Sequence, residues 1–433
     1  MTLKQLQKKY PKFLYSNYSY KISGENLKIS FLFKIEPGII FKPELIIKNI
    51  PTKFDLNGLD NLVFNLGLIE MISYWKATCS PVIEIECGNI DEEQIKFWKF
   101  IILNGMGQFF FENKIKPFSP KIVSFKKDKL EIDKKIKKDN YLIPIGGGKD
   151  SIVTLELLKK EYKFNCFSLN PTVAAKKVMK VGGCKKPIIV NRKIDKNLLS
   201  LNRKGFLNGH TPFSAYLAFL TVLTAKIFDY KYIALSNEKS SNEGNLKYYG
   251  KNINHQWSKS YEFEKSFNKY SKKYLSKEIK YFSFLRPFYE LQIAELFSKY
   301  PKYFSSFLSC NEAHKTYSGK RKPKGEWCGQ CSKCLFTYII LYPYLERKDL
   351  IKIFGKDLFK NKRLIIILQQ LIGEKGFKPF ECVGTHNESL TALYLNLKKN
   401  KFLEDDSQPI LLKYFKNKIL PKYPGLDFLK EFV

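Results

Sequence analysis

Alternating apolar and polar positions dominate the first third of the chain. Residues 27–35 alternate in this way and precede a Pro37-Gly38 turn, which is typical of a β-strand that ends at a turn. Apolar residues recur at helical spacing over residues 61–74, and a second helical stretch covers residues 92–104. The mixture predicts an α+β arrangement for this part of the chain.

The pattern changes at residue 141. An apolar stretch at 141–145 is followed by a glycine-rich turn and then by a helical pattern at 152–158. Further strands are predicted at 164–169, 187–190 and 232–235, and a long helix at 211–228. Strands that alternate with helices predict an α/β fold whose parallel sheet is covered on both faces.

Two changes in composition divide the chain. The lysine-rich residues 126–138 are predicted to be a solvated connector, and the sequence from residue 340 onward is helical and lysine-rich. We therefore expect three parts: an N-terminal α+β domain at 1–138, an α/β domain at 139–339 and a helical C-terminal region at 340–433.

The net charge does not identify a partner. The chain of 433 residues has 75 Lys+Arg against 41 Asp+Glu, for a net charge of +34, yet only six of the basic residues are arginine. Proteins that bind phosphates or base edges favour arginine, because its planar group makes bidentate contacts. The lysine excess therefore indicates a compositional bias, and we expect no nucleic-acid partner. A hydrophobic content of 44% excludes wholesale disorder.

The sequence also indicates the cellular compartment in which the protein is expected. It has no charge-free apolar stretch of membrane-spanning length, and its first ten residues lack the apolar core of a secretion signal. Its nine cysteines are an odd number in a long chain without an export signal. We therefore expect a cytoplasmic protein without a membrane partner, whose cysteines are reduced thiols or metal ligands.

The glycine-rich turn is the strongest catalytic signal. Glycines after a buried strand let the backbone approach phosphate oxygens, and the following helix directs unpaired N–H groups at an anion. Lys149 can neutralise phosphate charge, Asp150 can position Mg²⁺ and Ser151 can donate a hydroxyl. The spacing differs from that of a Walker loop. We predict phosphate binding over the alternative of an ordinary turn, with these candidate ATP-binding residues: Gly146, Gly147, Gly148, Lys149, Asp150 and Ser151.

Four cysteines form the second signal. Cys328, Cys331 and Cys334 are two successive Cys-x-x-Cys steps, and Cys310 lies upstream. Four thiolates would complete a tetrahedral structural Zn²⁺ site, with His314 as the replacement if Cys310 does not bind. The alternatives are buried free thiols or a redox pair.

A polar loop follows the predicted strand at 232–235, where open parallel sheets place ligand sites. Its two carboxylates and three amides are candidates for binding Mg²⁺ and substrate, and the alternative is a solvated loop. The residues are Asn237, Glu238, Asn242, Glu243 and Asn245. His255, further along, is either a catalytic group or a hydrogen-bonded structural residue.

Two resemblances follow from these motifs. The glycine turn resembles the pyrophosphate loop of the N-type ATP pyrophosphatases, which have a Rossmann-like sheet and cleave ATP to AMP and pyrophosphate. The usual loop begins with serine, where this chain has Gly146. The cysteine set is similar to that of the 7-cyano-7-deazaguanine synthases, which carry the same loop.

Several segments together resemble the MurL family, the UDP-N-acetylmuramoyl-L-alanyl-L-glutamate epimerases of peptidoglycan synthesis. They span nearly the whole chain: residues 73–81, the glycine turn, 242–245, 254–256, 327–329 and 379–384.

The MurL resemblance implies a substrate, cofactors and a mechanism. The substrate is the UDP-N-acetylmuramoyl dipeptide, the cofactors are ATP and Mg²⁺, and the functional partner is a Mur ligase that adds L-glutamate. Adenylation of the glutamate carboxylate would remove a negative charge and make the neighbouring proton acidic enough for a general base. Asp150 and Glu238 are expected near Mg²⁺, and the acid/base candidates are Glu243, His255 and Cys382.

Two other functions remain open at this stage. The first is a pyrophosphate-loop enzyme that modifies a deazapurine or a tRNA base, because the cysteine pattern fits it equally well. The second is a non-enzymatic RNA-binding protein, which would leave the phosphate loop without a role.

Overall fold

The protein is described by a computed structural model over residues 2–54, 56–125, 136, 139–316, 324–404 and 407–432. The predicted connector at 126–138 therefore lies, apart from residue 136, outside the described residues. The described β-strands are β1 (Lys12–Ser23), β2 (Asn26–Glu36), β3 (Ile39–Phe41), β4 (Glu44–Ile47), β5 (Val82–Ile85), β6 (Lys121–Ser124), β7 (Tyr141–Pro144), β8 (Phe164–Leu169), β9 (Ile188–Lys193), β10 (Tyr232–Leu235), β11 (Leu246–Tyr248), β12 (Lys251–Ile253) and β13 (Lys280–Ser283).

The described α-helices are α1 (Leu3–Lys9), α2 (Leu59–Trp75), α3 (Glu92–Gly105), α4 (Gly107–Glu112), α5 (Lys149–Leu158), α6 (Val173–Val181), α7 (Lys196–Arg203), α8 (Phe213–Phe228), α9 (Tyr261–Tyr274), α10 (Glu290–Ser298), α11 (Asn311–His314), α12 (Ser332–Leu341), α13 (Arg347–Phe354), α14 (Ile365–Leu371), α15 (His386–Lys399) and α16 (Ile410–Tyr414). Short 3₁₀ turns lie at Lys239–Asn242, Trp257–Lys259, Pro301–Tyr303, Leu358–Lys360, Lys362–Leu364, Leu420–Lys422 and Asp427–Leu429, and Phe415–Ile419 forms a π turn.

One large mixed sheet organises the described chain. Its strand order is β13-β10-β7-β8-β9-β4-β2-β1-β5-β6, with β3 paired to β2. The strands from β13 to β9 are all parallel, as predicted for the α/β domain. The antiparallel pairing of β4 with β9 joins this parallel half to the N-terminal strands. The α/β fold class is therefore confirmed, and the sheet continues from the first predicted part of the chain into the second.

The predicted elements are present. The alternating stretch at 27–35 lies in β2, the two early helices correspond to α2 and α3, and β10 has the predicted bounds. The long helix α8 begins at Phe213, two residues later than predicted. Pro212 precedes its first residue, and proline lacks the N–H group that a helix interior requires.

The core has two main clusters of buried side chains. The first packs the N-terminal strands against α2 and α8 and includes the fully buried Trp75 and Trp98. The second surrounds α5, α10, α12 and α15 and includes Tyr303 and Tyr338. The helix α12 lies within the second cluster and carries two of the four clustered cysteines at or next to its start.

The expectation that all the cysteines are reduced thiols or metal ligands was wrong for two of them. Cys166 in β8 and Cys184 after α6 are joined by a disulfide, with their Cα atoms 6.0 Å apart. The turn that ends α6 brings Cys184 back to β8, which is buried at Cys166. The sequence separation of 18 residues gave no sign of this contact.

In the part of the chain that the structure describes, no helix combines the length and the apolar character needed to cross a membrane.

Candidate active site

The glycine turn adopts the strand, turn and helix arrangement that the sequence predicts. It links β7 to α5, and Gly147 has a φ of +95°, which L-residues with side chains rarely adopt. A Cβ atom on Gly147 would lie 2.7 Å from the backbone nitrogen of Ala175. The Leu308 N–H donates to the Gly147 carbonyl at 2.9 Å. The first turn of α5 has no side-chain cap, so its N–H groups are available to an anion.

Lys149 points into the protein interior from this turn. Its ammonium group contacts the carboxylates of Asp150 and Glu290. Burial disfavours the charge of Lys149, but the two carboxylates outweigh burial and raise its pKa above the ordinary value. In this arrangement Lys149 neutralises carboxylates beside the glycine turn.

A chain of contacts runs from the glycine turn to the C-terminal region. Glu290, the first residue of α10, contacts Lys149 through one carboxylate oxygen and Lys333 Nζ at 3.3 Å through the other. Lys333 Nζ also donates to the carbonyl of Cys382, and the Lys333 backbone N–H donates to Glu381 Oε2 at 2.5 Å. Burial raises the pKa of Glu290, but Lys149 and Lys333 outweigh it and lower the value to about 2. Two buried ammonium groups therefore share one carboxylate.

The four predicted cysteines converge on one point. The sulfur atoms of Cys310, Cys328, Cys331 and Cys334 all lie within 4.8 Å of one another, and three of their separations are 3.8, 3.7 and 3.5 Å. A tetrahedral Zn²⁺ with Zn–S bonds of about 2.3 Å requires S–S separations of roughly 3.8 Å. The sulfur atoms fit this requirement without His314. Cys331 immediately precedes α12 and Cys334 lies in its first turn, so the cluster also fixes the start of the helix that carries Lys333.

Three amides of the polar loop are used within the protein. Asn237 donates to Ser283 Oγ at 3.0 Å, and Asn242 accepts from the Tyr261 N–H at 2.9 Å. Asn245 donates to the Pro379 carbonyl at 2.8 Å and accepts from the His255 N–H at 2.7 Å. These amides hold the loop against neighbouring segments.

Glu238 differs from these amides. Its side chain is buried, and its Oε1 atom has no hydrogen-bond partner among the described residues. Burial is the largest cause that raises its pKa, to about 7, and Lys259 opposes the rise. Asp150 also acts electrostatically on Glu238, so the two carboxyl groups lie in the same region of the site. A buried carboxylate oxygen without a partner fits a cation or a proton.

Glu243 and His255 are each held by neighbouring residues. Lys378 Nζ lies 3.0 Å from Glu243 Oε1, which also accepts from the His386 N–H at 3.3 Å. His255 Nδ1 is 2.6 Å from Gln108 Oε1. Burial is the main cause that lowers the pKa of His255 to about 4, so its ring is neutral at pH 7. Both residues lie near the site but are tied to structural partners.

Cys382 lies beside a lysine that the sequence analysis did not select. Its sulfur is 3.3 Å from Lys259 Nζ, and both residues are half-buried. Burial disfavours the charge of Lys259, but Cys382 and then Glu238 outweigh it, and the pKa of Lys259 is raised. Cys382 is therefore both accessible and next to a cation.

Sequence reasoning missed Lys259, Glu290 and Lys333. Lys333 lies between two of the clustered cysteines, so its proximity to the cluster could be read from the sequence. Glu290 had no such signal, because only the packing of α10 against α5 brings it to Lys149. A mostly apolar cavity also borders the loop, and its lining includes Ile145, Phe167, Leu169, Phe213 and Leu217 beside the polar Ser168, Asn170 and Thr172.

Comparison with known proteins identifies the family. The model of the MurL N-terminal domain matches residues 4–284, and the model of the MurL C-terminal domain matches residues 306–418. The chain belongs to the MurL family. The N-terminal match extends across the predicted boundary at residue 138, as the continuous sheet does.

Three curated MurL relatives have the same name, UDP-N-acetyl-alpha-D-muramoyl-L-alanyl-L-glutamate epimerase. The relative from Xanthomonas oryzae pv. oryzae is 30% identical over 381 residues, which cover 84% of this chain and 80% of that protein. Relatives from Micromonospora sp. and Salinispora tropica are 38% and 37% identical over 255 residues, 59% of this chain and 56% and 55% of those proteins. Epimerases are isomerases, and this MurL chain is accordingly an enzyme of that class.

Proposed function

We propose that this MurL protein inverts the terminal L-glutamate of UDP-N-acetylmuramoyl-L-Ala-L-Glu to D-glutamate, at the expense of ATP, during synthesis of peptidoglycan precursors. The observation that carries this proposal is the contact chain Lys149–Glu290–Lys333–Cys382, which links the phosphate loop to an acid/base candidate. An enzyme that first activates a carboxylate and then moves the adjacent proton needs both groups in one site.

ATP would bind with its phosphates at the N-terminus of α5. The uncapped N–H groups of that helix and the tight turn at Gly147 support this placement, and the apolar cavity beside Gly146 offers walls for the nucleobase. Asp150 and Glu238 would hold Mg²⁺, which would neutralise phosphate charge. The buried carboxylate oxygen of Glu238 that lacks a partner supports its role in that pair.

The chemical sequence follows from the acidity of the substrate. A carboxylate next to the Cα–H bond makes proton removal unfavourable, because a second negative charge would form beside the first. Transfer of AMP from ATP to that carboxylate, with release of pyrophosphate, removes its charge and provides an acyl oxygen onto which the Cα electron pair can delocalise. Protonation from the opposite face gives the D centre, and hydrolysis then releases AMP and the product.

Cys382 is the best placed of the three acid/base candidates. Glu243 is ion-paired with Lys378, and His255, whose pKa burial lowers to about 4, is a weak base bound to Gln108, whereas Cys382 lies beside Lys259 and at the end of the contact chain from the glycine turn. Replacement of Cys382 with alanine is expected to lower D-glutamate formation by about 100- to 10,000-fold while AMP formation continues. Chiral analysis of glutamate and chromatography of AMP, on the same samples, provide the measurement.

One control variant and variants of the other two candidates sharpen this experiment. Cys87→Ala removes another partly buried cysteine, far from the phosphate loop in the chain, and should retain both activities. If D-glutamate forms at the wild-type rate in Cys382→Ala but not in Glu243→Ala or His255→Ala, the acid/base role belongs to one of those residues. If all three variants remain fully active, none of the candidates is the acid or base.

We also propose that the four clustered cysteines bind a structural Zn²⁺. All four positions would be protein ligands, so the metal would stabilise the fold and would take no part in the reaction. Purified protein is expected to contain about one zinc per chain by elemental analysis, and Cys331→Ser is expected to lose it and to melt at a lower temperature. Cys87→Ser should keep the zinc. The proposal would be contradicted if the purified wild-type protein contained no zinc and if Cys331→Ser melted at the same temperature as the wild type.

The proposed reaction also implies a partner enzyme and a cellular location. Its substrate must come from a ligase that adds L-glutamate to the nucleotide-linked precursor, so we infer a functional partnership with a Mur ligase of that specificity. The need for ATP supports a cytoplasmic location. The cysteine set would also suit an enzyme that modifies a deazapurine or a tRNA base, but the N-terminal MurL match favours the epimerase.

A further inference from the structure

The pair formed by Lys259 and Cys382 is fixed from several directions. Asn245 donates to the carbonyl of Pro379, and Gln256 donates to the carbonyl of Val383 at 3.2 Å. Lys333 binds the carbonyl of Cys382 itself. These contacts hold the backbone on both sides of Cys382, so its sulfur stays within reach of Lys259 Nζ, 3.3 Å away. The arrangement is typical of a preorganised site, whose groups are held in place before the substrate binds.

We propose that Lys259 is a positioning residue that keeps Cys382 as a thiolate, and that this thiolate removes the Cα proton of the adenylated glutamate. The inference rests on the proposed function, because the proton belongs to the substrate of that reaction. It goes beyond the proposed function by assigning the base and the residue that maintains its charge.

Two ammonium groups lie at Cys382. Lys259 approaches from the turn at Trp257–Lys259, and Lys333 approaches from α12. The acidic neighbours are Glu381, which binds the Lys333 N–H, and Glu238, whose pKa is raised to about 7 so that it is ionised only in part at neutral pH. A cation in contact with a thiol lowers the free energy of the thiolate, which is the reactive form.

Lys259 itself is a poor candidate for the base. Its pKa is raised, because Cys382, Glu238 and Asp150 together outweigh the effect of burial, so it keeps its proton at neutral pH. An ammonium group without a free electron pair cannot accept the Cα proton. Its role is therefore electrostatic, and arginine at this position should serve the same purpose because it carries the same charge.

The proposed step balances as a proton transfer. The Cα–H bond breaks, an S–H bond forms on Cys382, and the electron pair left on Cα delocalises onto the acyl oxygen of the adenylate. A water molecule on the opposite face protonates Cα, and the hydroxide that remains takes the proton from the Cys382 thiol. The thiolate is thereby regenerated, and no oxidant or reductant is required.

Alkylation of Cys382 at different pH values tests the pair without any substrate. The full-length protein is treated with iodoacetamide, and mass spectrometry follows the rate for the peptide that contains Cys382, with the Cys87 peptide as an internal control. The midpoint, the pH at which the alkylation rate is half of its maximum, is compared between the wild type and the Lys259 variants. Lys259→Met should raise the midpoint by about one pH unit or more, and Lys259→Arg should restore it. Lys259→Gln provides the same test if the methionine variant does not fold.

Activity measurements on the same variants separate this inference from the proposed function. Lys259→Met should lower D-glutamate formation by about 100-fold at pH 7 with AMP formation largely retained, and the loss should diminish at higher pH as Cys382 ionises. An alkylation midpoint that is unchanged in Lys259→Met overturns the inference, whatever the activity. If Lys259→Met shifts the midpoint but the wild-type protein forms no D-glutamate, the proposed function and the assigned proton transfer are overturned. The ion pair between Lys259 and Cys382 is then still established.

Discussion

Replacement of Gly147 with alanine is expected to lower the rate of AMP formation by about 100-fold. The φ of +95° at this position is unfavourable for alanine, and the added Cβ would lie 2.7 Å from the backbone nitrogen of Ala175. Because the contact is with backbone at the start of α6, neither side can move away easily. The turn would shift from the N-terminus of α5, and the phosphates would lose their alignment. The initial rate of AMP release, measured by chromatography, provides the value.

A matched control variant separates the effect of backbone strain alone from the effect of displacing the glycine turn. Gly183 also has a positive φ, +82°, but an added Cβ meets no atom within 4 Å. Gly183→Ala is therefore expected to lose roughly 1 kcal/mol of stability without loss of AMP formation. If Gly147→Ala forms AMP at the wild-type rate, the turn does not bind ATP phosphates in the proposed way.

Replacement of Glu290 with glutamine is expected to have the largest effect on stability. The change leaves Lys149 and Lys333 buried with one carboxylate fewer, and removal of one partner from a buried ion pair costs about 3–5 kcal/mol. It would also interrupt the contact chain from the glycine turn to Cys382. Urea unfolding followed by circular dichroism measures the change in the free energy of unfolding.

The pH dependence of this effect has a defined sign. The pKa of Glu290 is lowered from 4.5 to about 2, so its charge stabilises the folded state fully above pH 4.5. The difference in unfolding free energy between wild type and Glu290→Gln should be constant from about pH 5 to 7 and should decrease as the pH falls below 4.5 towards 2. Glu295→Gln, on the exposed face of α10, should change stability by less than about 0.5 kcal/mol. Equal effects of the two substitutions would contradict this account of Glu290.

Local patterns predicted the elements of the fold well. The strand at Tyr232–Leu235 and the helix at Glu92–Gly105 were predicted from the apolar residues of each stretch, and Asp91 caps the helix at its start. The pairing of β4 with β9 was not predictable in this way, because it joins residues more than 140 positions apart. Periodicity specifies which face of a strand is buried but not which strand lies beside it.

The residues of the candidate site also divide into those that a local pattern predicts and those that only the fold brings together. The glycine turn and the four cysteines could be found because each is a short motif whose spacing carries the chemistry. Glu290 and Lys259 could not, because a single charged residue in a sequence with many charges has no local signature. The disulfide between Cys166 and Cys184 was missed for a similar reason, since it depends on how α6 packs beside β8.

The most direct test of the proposed function is a reaction in deuterated water. Wild-type protein is incubated with ATP, Mg²⁺ and UDP-N-acetylmuramoyl-L-Ala-L-Glu, and the glutamate released by acid hydrolysis is analysed by chiral chromatography and mass spectrometry. We predict D-glutamate with one deuterium at Cα, together with one AMP for each turnover. Glutamate that remains in the L form without deuterium, with no AMP formed, would contradict the account.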